Sequence, residues 1–173
     1  PRHKSALDNI KKMFRDCGYE LSIKLLNSSD YSVPQDRLRV FFIGIRKDLG
    51  FKYKFPKPDQ NKISLKDSIW DLRGSVLPSL DKNKTNSIKC VIPNHEYLTG
   101  GYSTMYMSRN RVRSWDEFSY TIQAGGRHCP IHPQAPKMIK LEKNKQVFDP
   151  KDINLYRRLS VREVARIQTY PDD

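Results

Sequence analysis

The sequence predicts an α/β fold joined to a second part that is rich in loops. Three observations support this prediction: an amphipathic helix opens the chain, two strand-like segments follow it, and most of the remaining sequence is broken into short pieces by Gly, Pro and Asn. With 173 residues, of which 37% are hydrophobic, the chain is long enough to bury a core. A chain that is disordered throughout is therefore excluded.

The first predicted element is an amphipathic helix over residues 5–17. Ile10 and Phe14 recur at helical spacing and belong to its apolar face. Ser5 is expected to be the N-cap of this helix, and Gly18 is expected to end it.

Two strands are predicted next, over residues 19–26 and 40–45. The first alternates apolar and polar residues, and the second is an almost unbroken apolar run, which is typical of a buried strand. The polar loop between them, residues 27–39, is expected at a sheet end, where a rigid scaffold commonly holds functional side chains. Helix, strand, loop and strand in this order indicate an α/β layer.

A domain boundary is predicted within residues 51–60, where lysines alternate with aromatic residues and prolines. Beyond it we expect a short helix over residues 64–72, with Trp70 packed inward, and then a small loop-rich domain. The chain closes on a helix whose first residues, Ser160 and Glu163, have the spacing of a capping box. The apolar face of that helix is expected to dock on another domain.

The chain is strongly basic, with 32 Lys and Arg against 19 Asp and Glu and a formal net charge of +13. Residues 36–58 hold seven basic and two acidic side chains, and residues 101–140 hold six and two. Such a concentration of positive charge favours a polyanionic partner such as DNA or RNA, although a solvated cationic face remains an alternative.

Membrane insertion and metal binding are not expected. No apolar run reaches the roughly 18 residues that a membrane-spanning helix needs. Cys17, Cys90 and Cys129 are odd in number and far apart, which favours free thiols and a cytoplasmic location. His128, Cys129 and His132 lack the paired-cysteine half of a structural zinc site.

Two clusters of arginines are the main candidate functional groups. Arg37 and Arg39 alternate directly before the second strand, so their guanidiniums are expected to project together toward a phosphate or a base carbonyl. Local pairing with carboxylates remains an alternative for them. Arg109, Arg111 and Arg113 also alternate, and Arg127 follows a Gly-Gly pair. Alternating arginines suit guanines in the major groove, because each guanidinium can meet O6 and N7 of one base.

A third candidate is the polar loop that carries Lys82 and Lys84. These lysines are suited to phosphate contacts, although a solvated surface loop is equally consistent with the sequence. No Gly-rich phosphate-binding loop and no nucleophile elbow is recognisable.

Two motifs in the chain resemble those of the DNA (cytosine-5)-methyltransferases. Gln35, Arg37 and Arg39 are similar to the Gln-x-Arg-x-Arg motif of that family, and residues 157–173 resemble the motif that follows its target-recognition domain. The residues between them resemble the recognition domain of the bacterial modification methylases of the HaeIII type. This resemblance, which covers essentially the whole chain, implies methylation of the inner cytosine of GGCC.

The resemblance also implies an architecture. Residues 1–58 would be the C-terminal portion of a Rossmann-like methyltransferase catalytic domain, residues 59–155 a small loop-rich target-recognition domain, and residues 156–173 a helix returning to the catalytic domain. The S-adenosylmethionine loop, the Pro-Cys nucleophile and the Glu-Asn-Val motif would lie outside the chain. We therefore expect a larger parent enzyme, no cofactor-binding residue in this chain, and no activity of the chain alone.

The resemblance further implies a role for each candidate residue in a monomeric enzyme acting on double-stranded DNA. Arg39 would reach O2 of a flipped cytosine, and Arg37 would order a phosphate or the catalytic loop. The expected DNA contacts are guanine reading by Arg109, Arg111 and Arg127, secondary contacts by Met105 and Asn144, and phosphate contacts by Lys82 and Lys84.

Two other functions remain open at this point. One is a non-catalytic, sequence-specific DNA-binding module. The weaker one is an RNA-binding protein, since A-form RNA hides the major groove that alternating arginines would read.

Overall fold

The computed structural model describes residues 2–172 of the chain, with side chains from residue 5 onward. Asp173, the last residue of the closing motif, lies outside the described residues. Residues 2–172 contain three α-helices and six strands: α1 (Arg2–Asp16), β1 (Tyr19–Asn27), β2 (Leu38–Arg46), α2 (Leu65–Ile69), β3 (Leu77–Pro78), β4 (Glu96–Tyr97), β5 (Ile139–Glu142), β6 (Lys145–Val147) and α3 (Val161–Ile167). Short 3-10 turns connect many of them.

The first part of the described chain is a helix packed on a β-hairpin. β1 and β2 pair antiparallel along their whole length, from Tyr19 opposite Arg46 to Asn27 opposite Leu38. A side chain at Gly44 would lie 2.7 Å from the Phe14 ring, so α1 packs directly on the backbone of β2. The predicted order of helix, strand, loop and strand is confirmed.

The predicted start of α1 is wrong. The helix begins at Arg2, so Ser5 lies within it and is not its N-cap. Arg and Lys have high helix propensity, and nothing in the residues before Ser5 breaks the helix. Its end is as predicted, because Gly18 takes the left-handed conformation, with φ +82°, that commonly follows a helix.

The expectation that residues 40–45 form a buried strand is also wrong for this chain. Val40 is 52% exposed and Phe41 44% exposed. α1 packs at the Gly44 end of the hairpin, and no other described element covers the opposite end. Leu25, opposite Val40 in the register, is likewise exposed. The run is apolar enough to be buried, but the described part of the chain supplies no second layer over that end.

The short helix predicted over residues 64–72 is present as α2 and a 3-10 turn, Trp70–Leu72. Trp70 is nevertheless 40% exposed, so the expectation that it packs inward is wrong. Ile69 and Leu72 occupy the buried side of this segment, which leaves Trp70 on its flank. There its ring packs edge-on against Trp115, with the centroids 4.8 Å apart.

Among the described residues after β2, the core has two clusters of buried side chains. The first joins α2, the loop-rich part and α3, and the second lies within residues 106–156. Their members are Leu65, Ile69, Leu72, Ile122, Cys129, Leu159 and Ile167 in the first, and Tyr106, Val112, Ile131, Ala135, Met138 and Tyr156 in the second. The closing helix therefore docks on the loop-rich part, whereas its predicted return to a catalytic domain stays a prediction.

A buried polar network anchors α3 to that core. The capping box between Ser160 and Glu163 is confirmed, and the Glu163 carboxylate also accepts hydrogen bonds from both terminal nitrogens of Arg157, at 2.8 and 2.7 Å. Burial is the largest single contribution and opposes ionisation, but the hydrogen bonds and charge of Arg157, together with the bond from the Ser160 amide, act against it, and the pKa of Glu163 is lowered. The carboxylate is therefore ionised and fully enclosed.

Two buried histidines complete the network. His95 bridges the Ser160 hydroxyl and the carbonyl of Leu72, at 2.8 Å each. His132 lies 3.4 Å from Glu163, a distance that would suit an ion pair. Burial instead lowers the pKa of His132 to about 3, so its imidazole is neutral and this contact is not an ion pair.

Cys17, Cys90 and Cys129 are all free thiols, as predicted. Within residues 2–172, no helix is long and apolar enough to cross a membrane.

Candidate nucleic-acid interface

The first arginine pair lines a single cleft, which we call the arginine-pair cleft. Its volume is about 300 Å³, and its walls are Leu26, Asn27, Ser28, Tyr31, Arg37, Arg39, Phe41 and Pro56. The two guanidiniums therefore share one side of the hairpin, as their spacing predicts. Arg39 is exposed, and among the described residues its guanidinium donates only to the carbonyl of its neighbour Leu38, at 2.7 Å. Neither arginine forms an ion pair with a described carboxylate, so the alternative of local charge pairing is not observed.

Backbone pairing fastens the motif that carries these arginines to the loop-rich part. The Asp36 amide donates to the carbonyl of Ser119 at 2.8 Å, and the Ser119 amide donates to the carbonyl of Pro34 at 2.9 Å. The Thr121 hydroxyl donates to the carbonyl of Asp36 at 2.6 Å. Arg37 adds a longer contact, 3.4 Å, to the carbonyl of Ile122. The two predicted domains therefore meet at this motif.

Met105 and Arg127 lie on the wall of a second and larger cleft, which we call the Gly100 cleft. Its volume is about 630 Å³, and its walls are Asn83, Leu98, Gly100, Gly101, Tyr102, Ser103, Thr104, Met105, Arg127, His128 and Arg158. Arg127 is exposed in the 3-10 turn Gly126–His128 and has no hydrogen-bond partner among the described residues. Its guanidinium is therefore available to a ligand in this cleft.

The remaining lysine and asparagine candidates lie beside the Gly100 cleft. Asn144, at the tip of the β5–β6 hairpin, lines a cleft of about 600 Å³ that shares Tyr102 and Thr104 with it. Lys84 lines a smaller cleft of about 260 Å³ that shares Asn83 and Leu98 with it. Lys82 is exposed in the neighbouring turn Asp81–Asn83, where it adopts φ 57°. The structure therefore brings five of the seven predicted DNA-contact residues, namely Lys82, Lys84, Met105, Arg127 and Asn144, to neighbouring positions.

Arg109 and Arg111 have different surroundings despite their alternate spacing. Arg109 is exposed, and its side chain has no hydrogen-bond partner among the described residues. Arg111 is half-buried, stacks on the Tyr106 ring and donates to the carbonyls of Tyr106 and Met105, at 2.7 and 3.1 Å. Burial and the nearby charge of Arg109 lower the pKa of Arg111. Part of the Arg111 guanidinium therefore fixes the backbone that carries Met105, and guanine reading by Arg111 stays a prediction.

Sequence reasoning missed Arg158 as a residue of the Gly100 cleft. Its buried guanidinium donates to the carbonyls of Leu98, Gly100 and Gly101, at 3.2, 2.6 and 2.8 Å, and stacks on the Tyr102 ring. Arg158 therefore shapes the glycine wall. Its position beside Arg157, ahead of a helix N-cap, indicates nothing of these partners, which lie 57 to 60 residues earlier in the chain.

Gly126 allows the turn that carries Arg127 to pack closely against Leu98. A side chain at Gly126 would overlap Leu98. Among the described residues, no group of three or more His, Cys, Asp or Glu side chains is placed to hold a metal ion.

Comparison with known proteins identifies the class of protein that this fold and these clefts belong to. The family model described as C-5 cytosine-specific DNA methylase matches residues 1–173, so the chain belongs to that family. The resemblance inferred from the two motifs is confirmed at this level.

Curated relatives refine the comparison. The Type II methyltransferase M.FnuDI of Fusobacterium nucleatum is 55% identical over 174 residues, which cover 99% of the chain and 51% of the relative. M.MthTI of Methanothermobacter thermautotrophicus is 56% identical over 171 residues, covering 99% and 52%. M.NgoPII of Neisseria gonorrhoeae is 51% identical over 176 residues, covering 99% and 51%. The chain thus spans about half the length of these relatives.

The fold is also similar to a known structure. The crystal structure of a prophage-encoded E. coli protein, assigned as a DNA modification methyltransferase, matches with a TM-score of 0.57 at 18% identity. The match covers 99% of the chain and 56% of that protein. This similarity confirms a methyltransferase-like α/β fold.

Proposed function

We propose that the chain is part of a Type II DNA (cytosine-5)-methyltransferase, which transfers a methyl group from S-adenosylmethionine to C5 of cytosine in duplex DNA, within GGCC. The observation that supports it most strongly is the junction at Asp36. Backbone pairing there fastens the arginine-pair cleft to the part of the chain that carries the Gly100 cleft. Hydrogen bonds thus join groups suited to a reacting base to groups suited to reading its neighbours.

Residues 59–155 are proposed as the target-recognition domain. The guanidiniums of Arg109 and Arg127 are exposed and form no hydrogen bond with any described residue. Each can donate two hydrogen bonds to a guanine, which presents two acceptors in the major groove. GGCC presents two guanines on each strand, which suits several arginines. Met105 and Asn144 would add base or backbone contacts, and the exposed lysines Lys82 and Lys84 would contact phosphates.

Arg39 is proposed to act in the chemical step. Attack of a cysteine thiolate at C6 of a flipped cytosine moves negative charge toward O2 and N3. A guanidinium held at O2 therefore gains more interaction in the transition state than in the ground state. Arg39 suits this role because it is exposed in a cleft with apolar walls. Arg37, which is tied to Ile122, is better placed to hold the loop or a phosphate.

The residues of this chain do not themselves fit the methyl donor. No described glycine lies in a turn that leads from a strand into an α-helix, which is the usual cradle for a nucleotide-like cofactor. We therefore assign S-adenosylmethionine to the other half of the proposed enzyme and expect this chain alone to be inactive. The proposal includes a monomeric enzyme and a cytoplasmic location, where its DNA substrate is found.

The DNA-reading part of the proposal is tested by equilibrium binding. Arg127→Ala should weaken binding to a GGCC duplex by about 1 to 3 kcal/mol and change binding to a scrambled duplex far less. Arg46→Ala is the matched control, because Arg46 is an exposed arginine at the far end of β2 that pairs with Asp48. The logarithm of the affinity should also fall steeply with salt, by about 0.9 for each phosphate contact per tenfold rise. Equal losses on both duplexes would make Arg127 a phosphate contact, and a salt slope near zero would exclude the proposed interface.

The catalytic part is tested by single-turnover methyl transfer in the complete protein that carries this segment. Arg39→Ala should lower the rate at saturating DNA by on the order of a hundredfold, while affinity changes little. Weaker binding with a normal rate at saturation would make Arg39 a backbone clamp. Sequence-specific binding by a complete wild-type protein that transfers no methyl group would favour the non-catalytic DNA-binding module.

A further inference from the structure

Arg113 connects the loop-rich part to the motif that carries the arginine pair. Its Nη2 donates to Oδ2 of Asp36 at 3.2 Å, and its Nη1 donates to Oε1 of Glu117 at 3.0 Å. Its guanidinium also stacks on the Tyr120 ring, 4.2 Å from the centroid. Asp36 holds the guanidinium from the other side of the junction, whereas Glu117 and Tyr120 contact it from within the loop-rich part. A lysine would not reproduce the planar fork that meets Asp36. The Arg113 guanidinium therefore has a defined orientation at this junction.

Two further hydrogen bonds extend from this ion pair to Arg37. The other carboxylate oxygen of Asp36, Oδ1, accepts from the Asn27 amide nitrogen at 3.2 Å. The Asn27 side-chain oxygen in turn accepts from the backbone amide of Arg37 at 2.8 Å. A displacement of the Asp36 carboxylate would therefore be transmitted to the backbone of Arg37 and to the wall of the arginine-pair cleft.

Arg113 also belongs to the segment that carries two of the proposed guanine readers, residues 109–113. Val112, one residue before it, is 1% exposed and pairs with Ile131 in an isolated β-bridge. The Ile131 amide donates to the carbonyl of Arg111 at 3.1 Å. Because this segment is anchored to the core, the position of Arg111 and the position of the Arg113 guanidinium are not independent.

We propose that Arg113 is a positioning residue for the methylation reaction. Its ion pair with Asp36 sets the position of Arg37 and Arg39 relative to the segment 109–113. The arginines that read the recognition site and the arginine pair that faces the flipped cytosine are thereby held in a defined relative position. This inference rests on the proposed function. It gives Arg113 no contact with DNA, in contrast to Arg109 and Arg127.

The test uses four variants of the complete protein. Asp36→Asn and Arg113→Lys each weaken the link across the junction, and they should lower the single-turnover methylation rate at saturating GGCC duplex by about tenfold. Equilibrium affinity for the same duplex should change less than about threefold. The double variant should be no slower than either single variant, because both changes break one interaction. Glu117→Gln is the matched control, since it removes the other partner of Arg113 within the loop-rich part, and its rate should stay within about twofold of wild type.

Thermal unfolding of each variant separates positioning from a loss of stability. If Glu117→Gln slows methylation as much as Asp36→Asn at a similar loss of Tm, Arg113 only stabilises its own segment and the inference is overturned. Multiplicative slowing in the double variant overturns it as well. A wild-type rate for Asp36→Asn in an active enzyme contradicts this inference alone, whereas a wild-type protein without methyl transfer contradicts the proposed function on which it rests.

Discussion

Replacement of Glu163 by Gln should destabilise the chain far more than its single-atom change suggests. The Glu163 side chain is 0% exposed, and its carboxylate accepts hydrogen bonds from the Ser160 amide at 2.8 Å and from two nitrogens of Arg157. Gln keeps the shape but presents an NH₂ group to one of these donors and leaves the Arg157 charge buried without a counterion. Breaking a buried ion pair by removing one partner costs about 3 to 5 kcal/mol. We expect a loss of unfolding free energy in that range.

A second capping box in the same chain provides the matched control. Asp67 caps α2 together with Ser64 as Glu163 caps α3, but the α2 box is exposed to solvent. Asp67→Asn should therefore cost only about 1 kcal/mol, the usual contribution of a helix cap. The difference between the two variants isolates the contribution of burial and of Arg157.

Urea unfolding at pH 7, followed by far-ultraviolet circular dichroism, measures both losses of unfolding free energy. A loss for Glu163→Gln that is no greater than the loss for Asp67→Asn would refute the reasoning. It would mean that the buried pair contributes no more than an ordinary cap.

Three further predictions concern single residues. Burial lowers the pKa of His132 from its ordinary value of 6.5 to about 3, so the unfolded state binds the extra proton; stability should fall by about 1.4 kcal/mol per pH unit as the pH drops from about 6 to 4. In urea unfolding against pH, His132→Gln should remove about 1.4 kcal/mol per pH unit from this slope, and an unchanged slope would contradict a neutral imidazole in the folded state. Gly126→Ala places a methyl group against the Cδ1 end of the Leu98 side chain, which can rotate away, so it should cost less than about 1 kcal/mol in the same unfolding assay. The Cys129 thiol, whose pKa burial raises to about 12, should react with a maleimide only after denaturation; rapid labelling of the folded chain would contradict its burial.

Features that depend on near neighbours in the chain are predictable from the sequence. The α1–β1–β2 order follows from side-chain periodicity, and the capping box at Ser160 follows from residue types three positions apart. The common cleft of Arg37 and Arg39 follows from their spacing of two residues. The predicted start of α1 differs from the observed start by only a few residues. The helix propensity of the residues before Ser5 outweighs the preference of serine for an N-cap.

Burial and distant partners were decided only by tertiary structure. The apolar run of β2 predicts burial, but exposure depends on whether another layer covers it, and α1 reaches only the Gly44 end. Trp70 is displaced to a flank because its neighbours fill the core.

The sequence by itself determined the chemical character of this protein: its basic surface, its arginine pairs and the motifs of a cytosine methylase family. Only the tertiary structure decided which of those arginines are available. Arg111 and Arg158 donate hydrogen bonds to backbone carbonyls, and Arg113 pairs with a carboxylate 77 residues away. Arg109 and Arg127 remain exposed. The physical reason is that periodicity and capping act over a few residues, whereas a guanidinium is held by whichever acceptors the packed chain brings to it.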